Sequence, residues 1–456
     1  MNASTHAENA ATDIAAHLHP FTNLATHPQV GPLVIQRGDG IFVEDDQGRR
    51  YLEAMSGLWC ASLGFSNARL AKAGSEALHG QPYYHTFNGR SNPAAIALAE
   101  KLLSMAPVPM SKVFFANSGS EANDSAVKLV WYYHNAIGKP GKKKIIARRN
   151  AYHGVTVAAS SLSGLVPNHR DFDLPIDRIL HVDCPHHFRY AEAGESEEDF
   201  ATRLAAALEQ RILDEGPETV GAFIAEPVMG AGGVLVPPAT YFDKVQKVLA
   251  KYEVLLIADE VICGFGRTGQ MFGSATFGLR PDILTAAKAL SSGYVPISAV
   301  MVNEKVHAAV AANSGKIGTF GHGFTYSGHP VACAIALETL KVYEDENIVS
   351  HVQSLAPQFQ QGLRSHAGRK YVGEVRGVGL IAAIELYADP AKRTPFDPAQ
   401  KAGARLAELA LAQGLIVRAM GDAIAFCPPL IITAEQIDDM FARFGRAMAV
   451  FEATFE

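Results

Sequence analysis

Long hydrophobic runs are missing from this 456-residue chain. No uninterrupted apolar stretch approaches the roughly 20 residues of a helical membrane span, so none is expected. The N-terminus, Met-Asn-Ala-Ser-Thr-His-Ala-Glu, lacks a basic n-region and an apolar h-region, and no signal peptide is expected. Cysteine is scarce. Cys60, Cys184, Cys263, Cys333 and Cys427 are odd in number, scattered and without a CxxC pair. Neither a disulfide framework nor a zinc site is suggested, and a reducing cytoplasm fits best. Charge of one sign is also lacking: 40 basic against 46 acidic residues leave a net −6. The basic run Lys142-Lys143-Lys144 reads as a solvated strand entry rather than a nucleic-acid contact. Metal motifs are absent as well. No HExxH occurs, and His17 with His19, or His186 with His187, lack i,i+4 spacing. These read as loop histidines, and no metal is expected.

What is present is a globular composition, 48% hydrophobic, long enough for a large core and two domains. Residues 1–20 read as a loosely helical arm. Alternation over 33–53, around Asp46-Gln47-Gly48-Arg49, predicts two short strands joined by a turn. Short apolar runs at 113–116, 144–147, 220–225, 254–258, 283–286 and 298–302 alternate with helical stretches. Strands apolar on both faces and interleaved with helices predict an α/β fold with a mostly parallel, doubly wound sheet. The tail predicts a smaller α+β unit: a strand-like run at 377–385, a helix near 400–413, strands at 415–418 and 423–427, and a helix from Glu435.

Ligands of such sheets bind at the carboxyl ends of the strands, and four ends carry unusual residues. Ser118-Gly119-Ser120 opens a helix after a strand, a pattern that cradles an anion or merely caps the helix. Asp259 ends an apolar run, where a buried carboxylate needs a cationic partner unless it caps a loop. Lys288 ends another, and either snorkels to solvent or serves Schiff-base chemistry. Tyr152, in Ala151-Tyr152-His153-Gly154, offers an aromatic ring. The GxGxxG string at 264–269 invites a nicotinamide-dependent oxidoreductase reading. It does not open a helix, however, and Lys288 falls where the acidic ribose ligand belongs, so that reading is set aside.

Together with Asn117–Asp124, Ala258–Val261 and Gly323–Pro330, these motifs make nearly the whole chain resemble the class III (ω-) aminotransferases of the fold-type I pyridoxal-phosphate enzymes. Gly57-Leu58-Trp59, the Glu226–Gly233 run and the glycine loop resemble the amine:pyruvate branch. The resemblance implies a pyridoxal 5'-phosphate transaminase that moves an amino group from an amine or ω-amino acid to pyruvate, by a ping-pong cycle. A β-alanine-, taurine- or polyamine-preferring transaminase, or an aminomutase or racemase, is the alternative. It further implies that Lys288 and Asp259 are catalytic, that Ser118, Gly119 and Ser120 bind phosphate, and that Tyr152 and Val261 sandwich the ring. Thr325 should reach the phosphate of the neighbouring subunit in a homodimer with shared sites. Arg418 should clamp the acceptor carboxylate, Phe21, Leu58, Trp59, Phe87, Tyr152 and Ala231 should line the pocket, and Glu226 should face Arg418 when the pocket is empty. The implied division is an arm and part of a small domain at 1–60, a large cofactor-binding domain at 61–329, and a C-terminal small domain at 330–456.

Overall fold

The computed structural model describes residues 5–455, so the first four residues of the expected arm lie outside the described residues. A seven-stranded sheet organises the chain: Lys112–Ala116 (β4), Lys144–Arg148 (β5), Ile179–Val182 (β6), Val220–Ala225 (β7), Leu255–Asp259 (β8), Ile283–Ala286 (β9) and Ser298–Val302 (β10). Three strands precede it, Ile35–Asp39 (β1), Phe42–Asp45 (β2) and Arg50–Glu53 (β3). The order across the large sheet is β4-β10-β9-β8-β7-β5-β6. All pairs are parallel except those of β10, which runs against both β9 and β4. Every residue of β7, β8, β9 and β10 is buried. That is the signature of strands covered on both faces, here by helices such as Gly119–Ala136 and Tyr241–Lys251.

The expected 33–53 turn joins β2 to β3, and Asp45 secures it by accepting N–H bonds from Gln47 and Arg49 at 3.0 and 2.9 Å. The C-terminal strands are Val372–Val378 (β11), Ile381–Leu386 (β12), Leu415–Ile416 (β13), Arg418–Met420 (β14) and Ala423–Phe426 (β15). Short β13 pairs in parallel with β3, so the two termini share one sheet. The run at 377–385 is not one strand. Gly379 takes φ +56 and turns the chain there, so that β11 and β12 form a hairpin. A Cβ at Gly379 would lie 2.4 Å from the Arg267 carbonyl oxygen, which is why only glycine fits against the glycine-rich loop. That loop is a buried strap: Arg267 donates to the carbonyls of Leu380 and Pro428 at 2.9 and 2.6 Å. The helix Pro330–Asp345 begins at the boundary expected at 330 and packs on Ala68–Gly80 and Pro93–Met105, which lie on the other side of it in sequence.

Glu53, at the end of β3, is buried, and burial pushes its pKa up to about 8 against a backbone bond from Gly57. The folded protein therefore keeps a proton that the unfolded chain releases above about 4.5, so stability falls as pH rises from there to about 8. Each pKa unit is worth about 1.4 kcal/mol, so the effect is on the order of a few kcal/mol. Glu53→Gln should flatten the decline of the thermal midpoint between mildly acidic and mildly basic pH. An unchanged slope would mean that Glu53 contributes none of it.

Candidate active site

Register aligns three strand ends. Asp259 of β8 lies beside Thr285 of β9, and Ala286 and Ala116 lie on either side of β10. The chain leaving each end enters one cavity of about 540 Å³, a size suited to a small ligand. Its walls include Gly119, Ser120, Tyr152, Asp259, Val261 and Lys288, together with Phe21, Leu58, Trp59, Ala231, Glu226 and Arg418. Residues spread over 21–418 thus converge on one space.

Asp259 is held on two sides. Its Oδ2 accepts from Asn123 Nδ2 at 2.8 Å and pairs with His153 Nδ1 at 2.7 Å, while Oδ1 accepts the Val261 N–H at 3.1 Å. Against a carboxylate, His153 Nδ1 must carry the proton. Its Nε2 is buried without a partner. Asn123 is itself fixed, donating to the His153 carbonyl at 2.7 Å and accepting from Thr285 Oγ1 at 2.9 Å. None of Asn123, His153 and Thr285 was singled out from the sequence. The one available signal was that Asn123 and His153 sit inside motifs read for their neighbours.

Lys288 lines the cavity at the end of β9, and burial of its amine draws its pKa below the ordinary lysine range. Its φ of +50 is uncommon for a residue with a Cβ. Phe21 and Trp59 on the cavity wall share this region at +49 and +65, a clustering typical of functional sites. Helix Gly119–Ala136 points its N-terminus at the same space, and the first-turn N–H groups of Gly119 and Ser120 have no acceptor within the helix. Ser118 is exposed and caps this helix, its Oγ accepting from Glu121 N at 3.2 Å. Val261 packs against Gly119, where a Cβ would come within 3.2 Å of it. Gly154 closes the other side, since a Cβ there would strike Ser120 Oγ at 2.4 Å.

Arg418, half-buried, faces Tyr152 across the cavity, and desolvation lowers its pKa. No hydrogen bond or ion pair engages its guanidinium among the described residues. The expected approach of Glu226 to Arg418 is not seen. The carboxylate of Glu226 accepts backbone N–H bonds from Tyr152 at 3.1 Å and Gly230 at 2.9 Å, and burial raises its pKa. Two backbone donors thus satisfy it without an arginine. Two other expected residues lie apart: Phe87 lines a separate cavity with Phe320 and His322, and Thr325 is exposed nearby, its carbonyl accepting from Tyr83 Oη at 2.9 Å.

Residues 25–448 match the family model described as aminotransferase class-III. Among curated relatives, the mitochondrial gamma-aminobutyrate transaminase 1 of Oryza sativa subsp. indica is 52% identical over 436 residues, covering 95% of this chain and 84% of its own length. The vanillin aminotransferase of Capsicum chinense is 49% identical, covering 98% of each chain. Among solved structures, the omega transaminase of Pseudomonas jessenii in complex with PMP superposes with a TM-score of 0.96 at 56% identity, covering 97% of this chain and 98% of its own.

Proposed function

The chain belongs to the class-III aminotransferases and is a pyridoxal-phosphate-dependent transaminase; we propose that its acceptor is pyruvate and its donors are amines or ω-amino acids. Pyridoxal phosphate fits the cavity on the chemistry of its donors: free helix N-terminal N–H groups for a phosphate, the buried carboxylate of Asp259 for a protonated ring nitrogen, and the buried amine of Lys288. When bound, the cofactor supplies a carbonyl that takes up the amino group and a ring that withdraws electrons.

The residues divide the work. Lys288 holds the cofactor and, with its pKa lowered by burial, takes and returns a proton at Nζ. Asp259, oriented by Asn123 and His153, keeps the ring nitrogen protonated. Gly119 and Ser120 bind the phosphate while Ser118 caps their helix, and Tyr152 and Val261 flank the ring. Phe87 and Thr325 complete the cavity of the partner subunit in a homodimer, which the exposure of Phe87 and of the neighbouring Tyr83, Tyr84 and Tyr326 supports. The cysteines, all unpaired, support a reducing, cytoplasmic setting. No helix among the described residues is long and apolar enough to cross a membrane.

One observation carries the substrate assignment: among the described residues the guanidinium of Arg418 has no hydrogen-bond or ion-pair partner, and it lines a cavity whose apolar walls include Phe21, Leu58, Trp59 and Ala231. A planar cation is suited to a keto-acid carboxylate, and its long stem lets it withdraw when an apolar amine binds. The same cation would meet the far carboxylate of an ω-amino acid such as γ-aminobutyrate, the compound in the name of the rice relative. Arg418→Ala should therefore cost on the order of 2–5 kcal/mol in the pyruvate half-reaction and far less with an apolar amine. Single-turnover kinetics of each half-reaction separate the two, and equal losses would mean that Arg418 serves only the fold.

A further inference from the structure

The N-terminal arm precedes the first strand as two helices, His6–Ala16 and His27–Val30, neither of which buries a residue. Helices this short are marginal in water on their own. The first is moored at its start, where His6 Nδ1 and Asn9 Nδ2 reach the Asp46 carboxylate at 2.7 and 3.0 Å. Further along, three imidazoles gather round one carboxylate. Asp13 Oδ1 lies 3.3 Å from His17 Nδ1, and Oδ2 lies 2.7 Å from His19 Nε2 and 3.2 Å from His27 Nε2. The rings crowd together, with centroids 4.1 Å apart for His17 and His19 and 4.4 Å for His19 and His27. The donor atoms of Asp13, His17 and His19 all lie within 4.8 Å of one another.

We propose that Asp13, His17 and His19 form a divalent transition-metal site of the zinc type, with His27 paired to the Asp13 carboxylate, which pins the arm and holds Phe21 at the mouth of the cavity. Two imidazole nitrogens and one carboxylate oxygen, with a water in the fourth position, are a zinc donor set. Bonds of about 2.0–2.2 Å in a tetrahedron put neighbouring donors about 3.3–3.6 Å apart. The 3.3 Å between His17 Nδ1 and Asp13 Oδ1 already has that spacing, and His19 Nε2, now 2.7 Å from Oδ2, needs only a small turn to share the same point. A hydrogen-bonded cluster without metal is the competing account. Two features favour the cation. Residues 1–36 contain no lysine or arginine, so the arm has no permanent cation of its own to set against Asp13. The other grouping of this kind, His186 with Glu374 and Glu385, differs in this respect. There Arg376 Nη1 sits 2.5 Å from both carboxylates and already fills the cation's place.

The ligand His19 and His27, which pairs with the ligand Asp13, bracket Phe21, whose ring lies 6.5 Å from that of Tyr152, edge to face. A metal that closes the segment from 13 to 19, with His27 held to Asp13, therefore fixes a wall of the cavity. The site itself stands apart from the transaminase reading, and only its link to substrate rests on that reading.

The test uses untagged holoenzyme stripped by chelator and titrated with Zn²⁺ alone, then with Co²⁺ for its ligand-field spectrum. One equivalent per chain with a tetrahedral Co²⁺ spectrum is expected. His17→Ala and His19→Ala should each weaken binding by more than about 10-fold, and Asp13→Asn should do the same without altering the arm's size. Chymotrypsin should cut at exposed Leu18, Phe21 and Leu24 more slowly with Zn²⁺ present, but not in the His17→Ala, His19→Ala double variant. Binding that survives the double variant lies elsewhere and overturns the proposal, as does the absence of stoichiometric binding. Bound metal that leaves cleavage unchanged overturns the pinning role.

Discussion

Lys288→Ala should leave cofactor binding measurable and turnover lower by several orders of magnitude. The variant keeps Asp259, the helix N-terminus at Gly119, Tyr152 and Val261, so the contacts proposed for phosphate and ring remain. What it loses is the covalent hold and the proton carrier at once. Acid–base assistance alone is typically worth about 10²–10⁴-fold, and the two losses fall on the same step. Backbone strain does not confound the comparison. The φ of +50 at this position is as unfavourable for alanine as for lysine, since both carry a Cβ. Borohydride treatment followed by peptide mass analysis should mark Lys288 in the wild-type protein and no residue of the variant. Near-normal turnover in the variant would remove Lys288 from the chemistry altogether.

The strands that build this site were legible because each is a short run apolar on both faces. The bounds expected for 220–225, 283–286 and 298–302 coincide with β7, β9 and β10. Where that signal weakens, so does the reading. Strand β6 lies at the sheet's edge with only Ile179 fully buried, and its His181 breaks the apolar run. The strand expected at 415–418 is two pieces in different sheets, because Val417 carries the chain from the side of β3 to the side of β15.

The site was legible in a similar, partial way. Lys288, Asp259 and Tyr152 stand out as incongruous residues at strand ends. The network that orients Asp259 does not, because Asn123, His153 and Thr285 come from three separate segments and meet only in space. The partners of Glu226 were hidden for another reason: they are backbone N–H groups, which every residue but proline carries. Only Asp13 and His17 keep the helical i,i+4 spacing; His19 lies past the end of one helix and His27 begins the next, so they reach Asp13 only because the loop between the helices folds back.

The Asp259 network makes the second large effect specific. Asp259→Asn preserves size and can still accept from Asn123 or Val261, but it removes the charge that keeps a ring nitrogen protonated. The substitution also disturbs His153. Facing an amide, its Nδ1 loses a charged acceptor, and with Nε2 already unpartnered the imidazole becomes a buried group with weakened hydrogen bonding. Removing one preorganised electrostatic partner from a closed site commonly costs about 10²–10³ in kcat, and a loss of that size is expected in the amine half-reaction. Cofactor affinity should fall far less, because the phosphate contacts proposed for Gly119 and Ser120 and the amine of Lys288 are untouched. The telling comparison is with His153→Gln, which keeps the carboxylate and removes only one of its supports. If Asp259 acts by charge, the His153 variant should retain most of the rate that Asp259→Asn loses. If the two variants fall together, Asp259 works by being held in place. An unchanged amine half-reaction in Asp259→Asn would leave it a buried anchor between strand ends.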